Sequence, residues 1–234
     1  MVSGVHLDMV ENGRLPTTLQ NDDVLQKRNG DAVEMNVYVN EMPSIILLQA
    51  GGSHFPTRIL FPHEYMKLWE ATPVKYRVIL DFLITSGVRY VEGQYIQKHP
   101  EIYDGNRKFI QLPSGVEKKH KQVFKSRVIN LSSYGNLRAN EFFKATRLPA
   151  RSNWDADLRR WAIRAGIDPK YISSKTTRKT CESWLLSFYK DRQAYIALNM
   201  GHTEETELKY YLTTPFNDYD RSLMKIYVDG INFR

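Results

Sequence analysis

The sequence predicts a mainly α-helical domain that carries a small antiparallel β-sheet. Three observations support this. Apolar residues recur at helical spacing between residues 74 and 200, in segments that end on glycine. Two short β-rich runs, "RKFIQL" and "RVINLS", flank the turn-bearing stretch "PSGVEKKHKQVFK". The chain has 234 residues, 42% of them hydrophobic, enough to bury a core in one large domain.

Residues 1–55 differ from the rest. They hold three basic and seven acidic residues, with Gly, Asn and Asp scattered among them. Val37–Val39 and "SIILLQ" each read as a strand. The expectation is a partly ordered N-terminal extension over 1–55, followed by a catalytic-size domain over 56–234. "VKYRVILDFLITSG" places Val74, Val78, Phe82 and Leu83 near one helix face, and Gly87 is a natural stop. "SNWDADLRRWAIRAG" has a Ser or Asn cap, acids in its first turn, a stripe of Trp154, Leu158, Trp161 and Ala165, and a closing Gly166. "SKTTRKTCESWLLSFY" brings Arg178, Cys181, Leu185 and Phe188 close to one face, and "RQAYIALNMG" is a short helix ended by Gly201. The last helix is expected to show Leu223, Ile226 and Tyr227 on one stripe.

The net charge is +7, but it is unevenly spread. Residues 106–192 hold 20 Lys and Arg against 7 Asp and Glu, a net of +13, and the remainder carries −6. Basic charge gathered in one stretch is the footprint of a nucleic-acid contact surface. It is not confined to one amphipathic helix, which argues against a membrane surface. No apolar run approaches a membrane span and no leader opens the chain, so a soluble intracellular protein is expected. The single cysteine, Cys181, allows no internal disulfide. The six histidines form no metal-ligand spacing, "GGSH" lacks the lysine of a phosphate loop, and no serine nucleophile elbow occurs. No cofactor or metal is expected.

What remains is a set of cations and a tyrosine pair. Arg89 follows a helix stop in "TSGVRYVEG", Lys175 and Arg178 share a helix face at i and i+3, and His202 heads "HTEETELKYYLT". Each has a plain structural reading. Arg89 can pair with Glu92, Lys175 and Arg178 can be exposed helix charges, and His202 can begin a helix. The chemical reading is that planar guanidinium forks from distant segments clamp the oxygens of one phosphodiester and stabilise its five-coordinate transition state.

The order and spacing of these groups resembles the tyrosine recombinase, or phage-type integrase, family, over roughly residues 56–230. "TSGVRYVEG" is similar to the family's first arginine box and supplies Arg89 and Glu92. "KTTRKTCESWLL" is similar to the second box and supplies Arg178, with Lys175 where His is usual, as in some archaeal and viral-like members. "MGH" followed nine residues later by tyrosine is similar to the third box and supplies His202 and Tyr211. The resemblance implies a catalytic lysine in the β-hairpin. Aligning "RVINL" with the third strand points to Lys121, with Lys119 and Lys125 as rivals.

The resemblance implies site-specific recombination of double-stranded DNA by a tetramer, through a 3′-phosphotyrosyl intermediate. It also implies a chain encoded by a virus or mobile element, or acting at the cytoplasmic nucleoid. The helical clamp domain that commonly precedes the family's catalytic domain has no counterpart in residues 1–55, which implies a minimal recombinase or a piece of a longer chain. Two other readings stay open: a relaxing enzyme like the type IB topoisomerases, and a catalytically silent DNA-binding protein of this fold.

The tyrosine pair sets a geometric question. Adjacent helical residues point about 100° apart, so Tyr210 and Tyr211 cannot both face one phosphate. Nine helical steps from His202 leave Tyr211 about half a turn out of phase and roughly 13 Å away. The segment therefore bends or starts late, with Thr203 or Thr206 as its cap, or Tyr211 serves a neighbouring subunit. The last helix packs on its own domain or, by the family analogy, docks on a neighbour.

Overall fold

The computed structural model describes residues 46–48, 56–116, 126–201 and 216–233. By its internal contacts the chain divides into Met1–Asn40 and Glu41–Arg234, and every described residue lies in the second unit. That unit is mainly helical with a small three-stranded antiparallel sheet, as expected. The Val37–Val39 run lies outside the described residues. The "SIILLQ" run does form a strand, β1 (Ile46–Leu48), which pairs antiparallel with β2 (Thr57–Ile59).

Helix α1 (Pro62–Ala71) begins at a proline, where a missing N–H costs nothing, and Glu64 Oε2 accepts the Phe61 N–H at 3.0 Å. Helix α2 (Val74–Ser86) departs from the expected one-sided pattern. Val74 is 75% exposed, whereas every residue from Ile79 to Ser86 is buried. The C-terminal half is enclosed on all sides, so no single stripe describes it. Its inward hydroxyls find partners within the helix: Thr85 Oγ1 donates to Asp81 O and Ser86 Oγ to Phe82 O. Gly87 ends α2 in the left-handed conformation, φ 63°, as its sequence position predicts.

Helix α3 (Tyr90–Lys98) leads to the sheet of β3 (Tyr103–Asp104), β4 (Phe109–Leu112) and β5 (Arg127–Asn130). The two "RKFIQL" and "RVINLS" runs supply β4 and β5. Their register sets Ile110 against Ile129 and Leu112 against Arg127. These four side chains share the buried face, while Gln111 and Val128 point out. Helix α4 (Ser133–Phe142) starts at Ser132, whose hydroxyl accepts the Gly135 N–H. It lies on α2, with Phe82 and Phe142 stacked at 3.9 Å.

Helix α5 (Arg151–Arg164) starts at Ala150, ahead of the expected Ser152 or Asn153 cap, so Asp155 and Asp157 fall beyond its first turn. Its buried stripe is Trp154, Leu158, Trp161 and Ala162 rather than Ala165. Helix α6 (Ser174–Phe188) is the central element. It packs against β2, α2 and α5. Its Thr180 hydroxyl accepts the Leu60 N–H, and Trp184 Nε1 donates to Leu60 O. Helix α7 (Gln193–Met200) ends at Gly201, φ 66°.

The last helix, α8 (Asp218–Val228), is capped by Asn217, whose side chain accepts the Asp220 N–H. It buries Asp220, Met224, Tyr227 and Val228, and Ile226 is 52% exposed, so the stripe is rotated from the one expected. It packs on α1, α4 and α6 of its own domain, where Tyr227 meets Tyr65, Tyr134 and Trp184. No helix among the described residues is long and apolar enough to cross a membrane.

Candidate active site

The site forms where two helix stops and one helix start meet. The first is the end of α2. Gly87 turns the chain left-handed, and Arg89 becomes the residue that caps α3. Glu92, three positions on, accepts the Arg89 N–H at 2.7 Å through Oε2 and Arg89 Nη1 at 2.6 Å through Oε1. The pairing that a purely structural reading predicts for Arg89 is therefore present. Its side chain nevertheless remains 28% exposed, while that of Glu92 is fully enclosed.

The second element is not a stop but the start of α6, where Arg178 lies on the buried side of the first turns. Arg178 Nη1 donates to the Gly87 carbonyl at 2.7 Å, and Nη2 donates to the Met200 carbonyl. Met200 closes α7, so it belongs to the third element, and His202 follows two residues later. One guanidinium thus ties together the backbones of all three sequence boxes. Their contact is tight: a methyl group on Gly87 would lie 2.7 Å from Met200 Cε.

A third arginine joins them. Arg127, on β5, donates through Nη2 to Glu92 Oε2 at 2.7 Å and through Nη1 to the Met200 carbonyl at 2.8 Å. It matches none of the three sequence boxes. A signal was available, though. Arg127 has the same strand parity as Ile129, so the period-2 pattern of "RVINL" points a charge inward, where only a buried partner makes it tolerable.

Three guanidinium charges therefore surround one carboxylate charge. Burial pushes the Glu92 carboxyl up, but Arg127, Arg178 and Arg89 together pull it below the usual value, so it stays ionised. Arg178 is pulled down to about 10, first by burial and then by the charges of Arg89 and Arg127, against a partial restoring effect of Glu92 and Glu182. It remains a cation at neutral pH, one whose charge is under repulsion. A bound anion would relieve that repulsion.

Lys175 stands apart from this cluster. It is exposed on α6, three residues before Arg178, with no ion-pair partner among the described residues. The turn that carries it is held by α5, where Asp155 Oδ1 accepts the Ser174 N–H at 2.6 Å and Arg151 Nε donates to Ser174 Oγ. The structure therefore joins Arg89, Glu92 and Arg178 and places Lys175 one helical turn away. Lys119, Lys121, Lys125, His202, Tyr210 and Tyr211 lie outside the described residues. Among the described residues, no group of three His, Cys, Asp or Glu side chains could hold a metal ion.

No family model matches this sequence, and no curated protein matches it. Solved structures do. The integrase of the Tn1549 transposon in complex with circular intermediate DNA matches 72% of this chain with a TM-score of 0.53 at 14% identity. A Tn1549 integrase in complex with transposon right end DNA matches 74% with a TM-score of 0.56 at 16% identity. XerA recombinase matches 74% with a TM-score of 0.51 at 19% identity. The match spans 66% of each of the two Tn1549 integrase chains and 64% of XerA, a little under two thirds of their lengths. The chain has the fold of the tyrosine recombinase catalytic domain.

Proposed function

We propose that this chain is a metal- and ATP-independent DNA strand transferase that recombines double-stranded DNA at specific sites. The observation that supports it best is the meeting of Arg89 and Arg178, from boxes about 90 residues apart, on the shared frame of Gly87, Glu92 and Met200. In this reading Arg89 and Arg178 hold the non-bridging oxygens of the scissile phosphodiester. Lys175, exposed one turn away, adds a donor at the rim, and His202, next in sequence after the Met200–Gly201 stop, is assigned to the same phosphate by the family resemblance.

Tyr211 is the nucleophile. Its phenol has a reference pKa of about 10, so ionising it at pH 7 costs roughly 4 kcal/mol, a cost that clustered positive charge lowers. The phenol releases its proton to solvent as its oxygen bonds to phosphorus, and the bond to the 5′ oxygen breaks. That leaving oxygen takes a proton from a hairpin lysine, Lys121 in the alignment, with Lys119 and Lys125 its neighbours. The phosphoester energy is kept in the 3′-phosphotyrosyl link, and a 5′ hydroxyl from a partner strand reverses the step. Strand exchange of this kind would use a tetramer assembled on DNA from chains that are monomers in solution.

The experiment uses duplex DNA carrying the recombination site with a nick beside the scissile phosphate, which traps the covalent adduct. Adduct formation is expected with the wild type and with Tyr210→Phe, and not with Tyr211→Phe. The opposite pattern overturns the assignment of the nucleophile. DNA binding with no adduct from any version identifies a silent DNA-binding protein of this fold, and relaxation of supercoiled DNA without a site identifies a relaxing enzyme.

A further inference from the structure

We propose that Arg127 is a positioning residue of this site, which sets the places of Arg89 and Arg178 through Glu92 and the Met200 carbonyl. The inference rests on the reading of the cluster as a phosphate-binding centre, and it adds a residue outside the three sequence boxes.

Arg127 enters from the sheet. It sits on the buried face of β5 opposite Leu112, and its side chain is 6% exposed. Its two Nη groups reach different elements, one at the head of α3 and one at the end of α7. At the first, Arg127 shares Glu92 with Arg89. With Oε2 engaged by Arg127 and by the Arg89 N–H, Oε1 takes Arg89 Nη1. The carboxylate is thereby fixed in one rotamer, and the more open guanidinium with it. At the second, Arg127 shares the Met200 carbonyl with Arg178. The carbonyl's two lone pairs can serve two donors, so the end of α7 is held from both sides.

The burial pattern separates the roles. Arg89 keeps an exposed edge where a phosphate can approach, whereas Arg127 spends its fork on protein groups inside. Its charge still acts on the site, since it pulls on Glu92 and repels the proton of Arg178. A lysine at this position supplies a point charge and cannot span the two acceptors as a planar fork does.

Arg127→Lys and Arg127→Met serve as paired variants, with folding checked by cooperative thermal melting. The first readout is single-turnover adduct formation on nicked site DNA, measured against DNA concentration. The maximal rate is expected to fall by about 100-fold in Arg127→Met, less in Arg127→Lys, with the half-saturating DNA concentration little changed. A residue that merely supports the fold would lower the melting temperature and leave the rate of the folded enzyme intact, and that result overturns the proposal.

The second readout needs no cleavage. Inorganic phosphate is expected to raise the melting temperature of the wild type above that in chloride of equal ionic strength, and to lose this excess in either variant. An equal excess in wild type and variants, or none in the wild type, overturns the proposal. An adduct that fails to form in the wild type while the phosphate effect depends on Arg127 counts against the recombinase reading and leaves the positioning role standing.

Discussion

Glu92 Oε2 accepts a 2.7 Å hydrogen bond from Arg127 Nη2 at a place where neither side chain is more than 6% exposed. Arg89 shares the same carboxylate. Removing the negative charge leaves buried guanidinium charges facing one another, so Glu92→Gln is expected to destabilise the domain by about 3–5 kcal/mol. The pH dependence gives a sharper test. The folded carboxyl lies below its usual 4.5. Its stabilisation is therefore complete above that value and is lost as the pH falls through the folded one, where the unfolded chain already binds the proton. Urea midpoints followed from neutral pH downward should drop on this limb in the wild type, and less steeply in Glu92→Gln. Parallel curves would remove Glu92 from the acid response.

Gly87 combines two demands. Its φ of 63° is left-handed, and a Cβ there would lie 2.7 Å from Met200 Cε and 2.8 Å from Met200 Sδ. The Met200 side chain is fully buried, so its end has little room to retreat. Gly87→Ala is expected to cost about 1–2 kcal/mol in backbone strain and about 1–3 kcal/mol more in overpacking. The same shift moves the carbonyl that accepts from Arg178, so adduct formation should fall along with thermal stability. An alanine variant that melts and cleaves like the wild type would show that this approach is not needed.

Cys181 lies under the same junction, 2% exposed and 3.9 Å from the Thr85 carbonyl. Burial pushes its thiol up to about 12, Glu182 adds to the rise, and Arg178 opposes it. Almost no thiolate forms at neutral pH, and the thiolate is the reactive species. A disulfide reagent should therefore leave the folded protein unlabelled and modify one thiol per chain in denaturant. Rapid labelling under native conditions would mean that the contact between α2, α6 and α7 opens readily.

Much of this arrangement was legible because local rules and long-range packing agree. Gly87 and Gly201 read as helix stops, and both adopt the left-handed turn. The runs around Ile110 and Ile129 alternate as half-buried strands and pair in register. Arg89, Glu92 and Arg178 stood out by spacing, and they share one cluster. The misses arise where a helix has more than one buried side. In α2, Val74 carries the right period but lies ahead of the enclosed half, where Asp81 is buried with Tyr65 and Trp69 as its donors. In α8, Asp220 takes a core position because its carboxylate caps the helix start, which no apolar stripe reveals. Arg127 belongs to no sequence box, and only its strand parity marks it as inward-facing.

The C-terminal helix gives the last test. Tyr227 meets Tyr65, Tyr134 and Trp184 with ring centroids 5.3, 5.5 and 5.5 Å away, and only 8% of it is exposed. This aromatic knot covers the Tyr65–Asp81 hydrogen bond, 2.6 Å long, which links α1 to α2. Tyr227→Ala would remove one wall of the knot and is expected to cost about 3–5 kcal/mol, whereas Tyr227→Phe keeps the ring contacts and should stay close to the wild type. Chemical denaturation separates the two. Dilution adds a further distinction: a helix seated on its own domain gives a melting temperature independent of protein concentration, and one borrowed from a second chain gives a melting temperature that falls as the protein is diluted. The contacts of α8 with α1, α4 and α6 predict the concentration-independent result for the protein free of DNA.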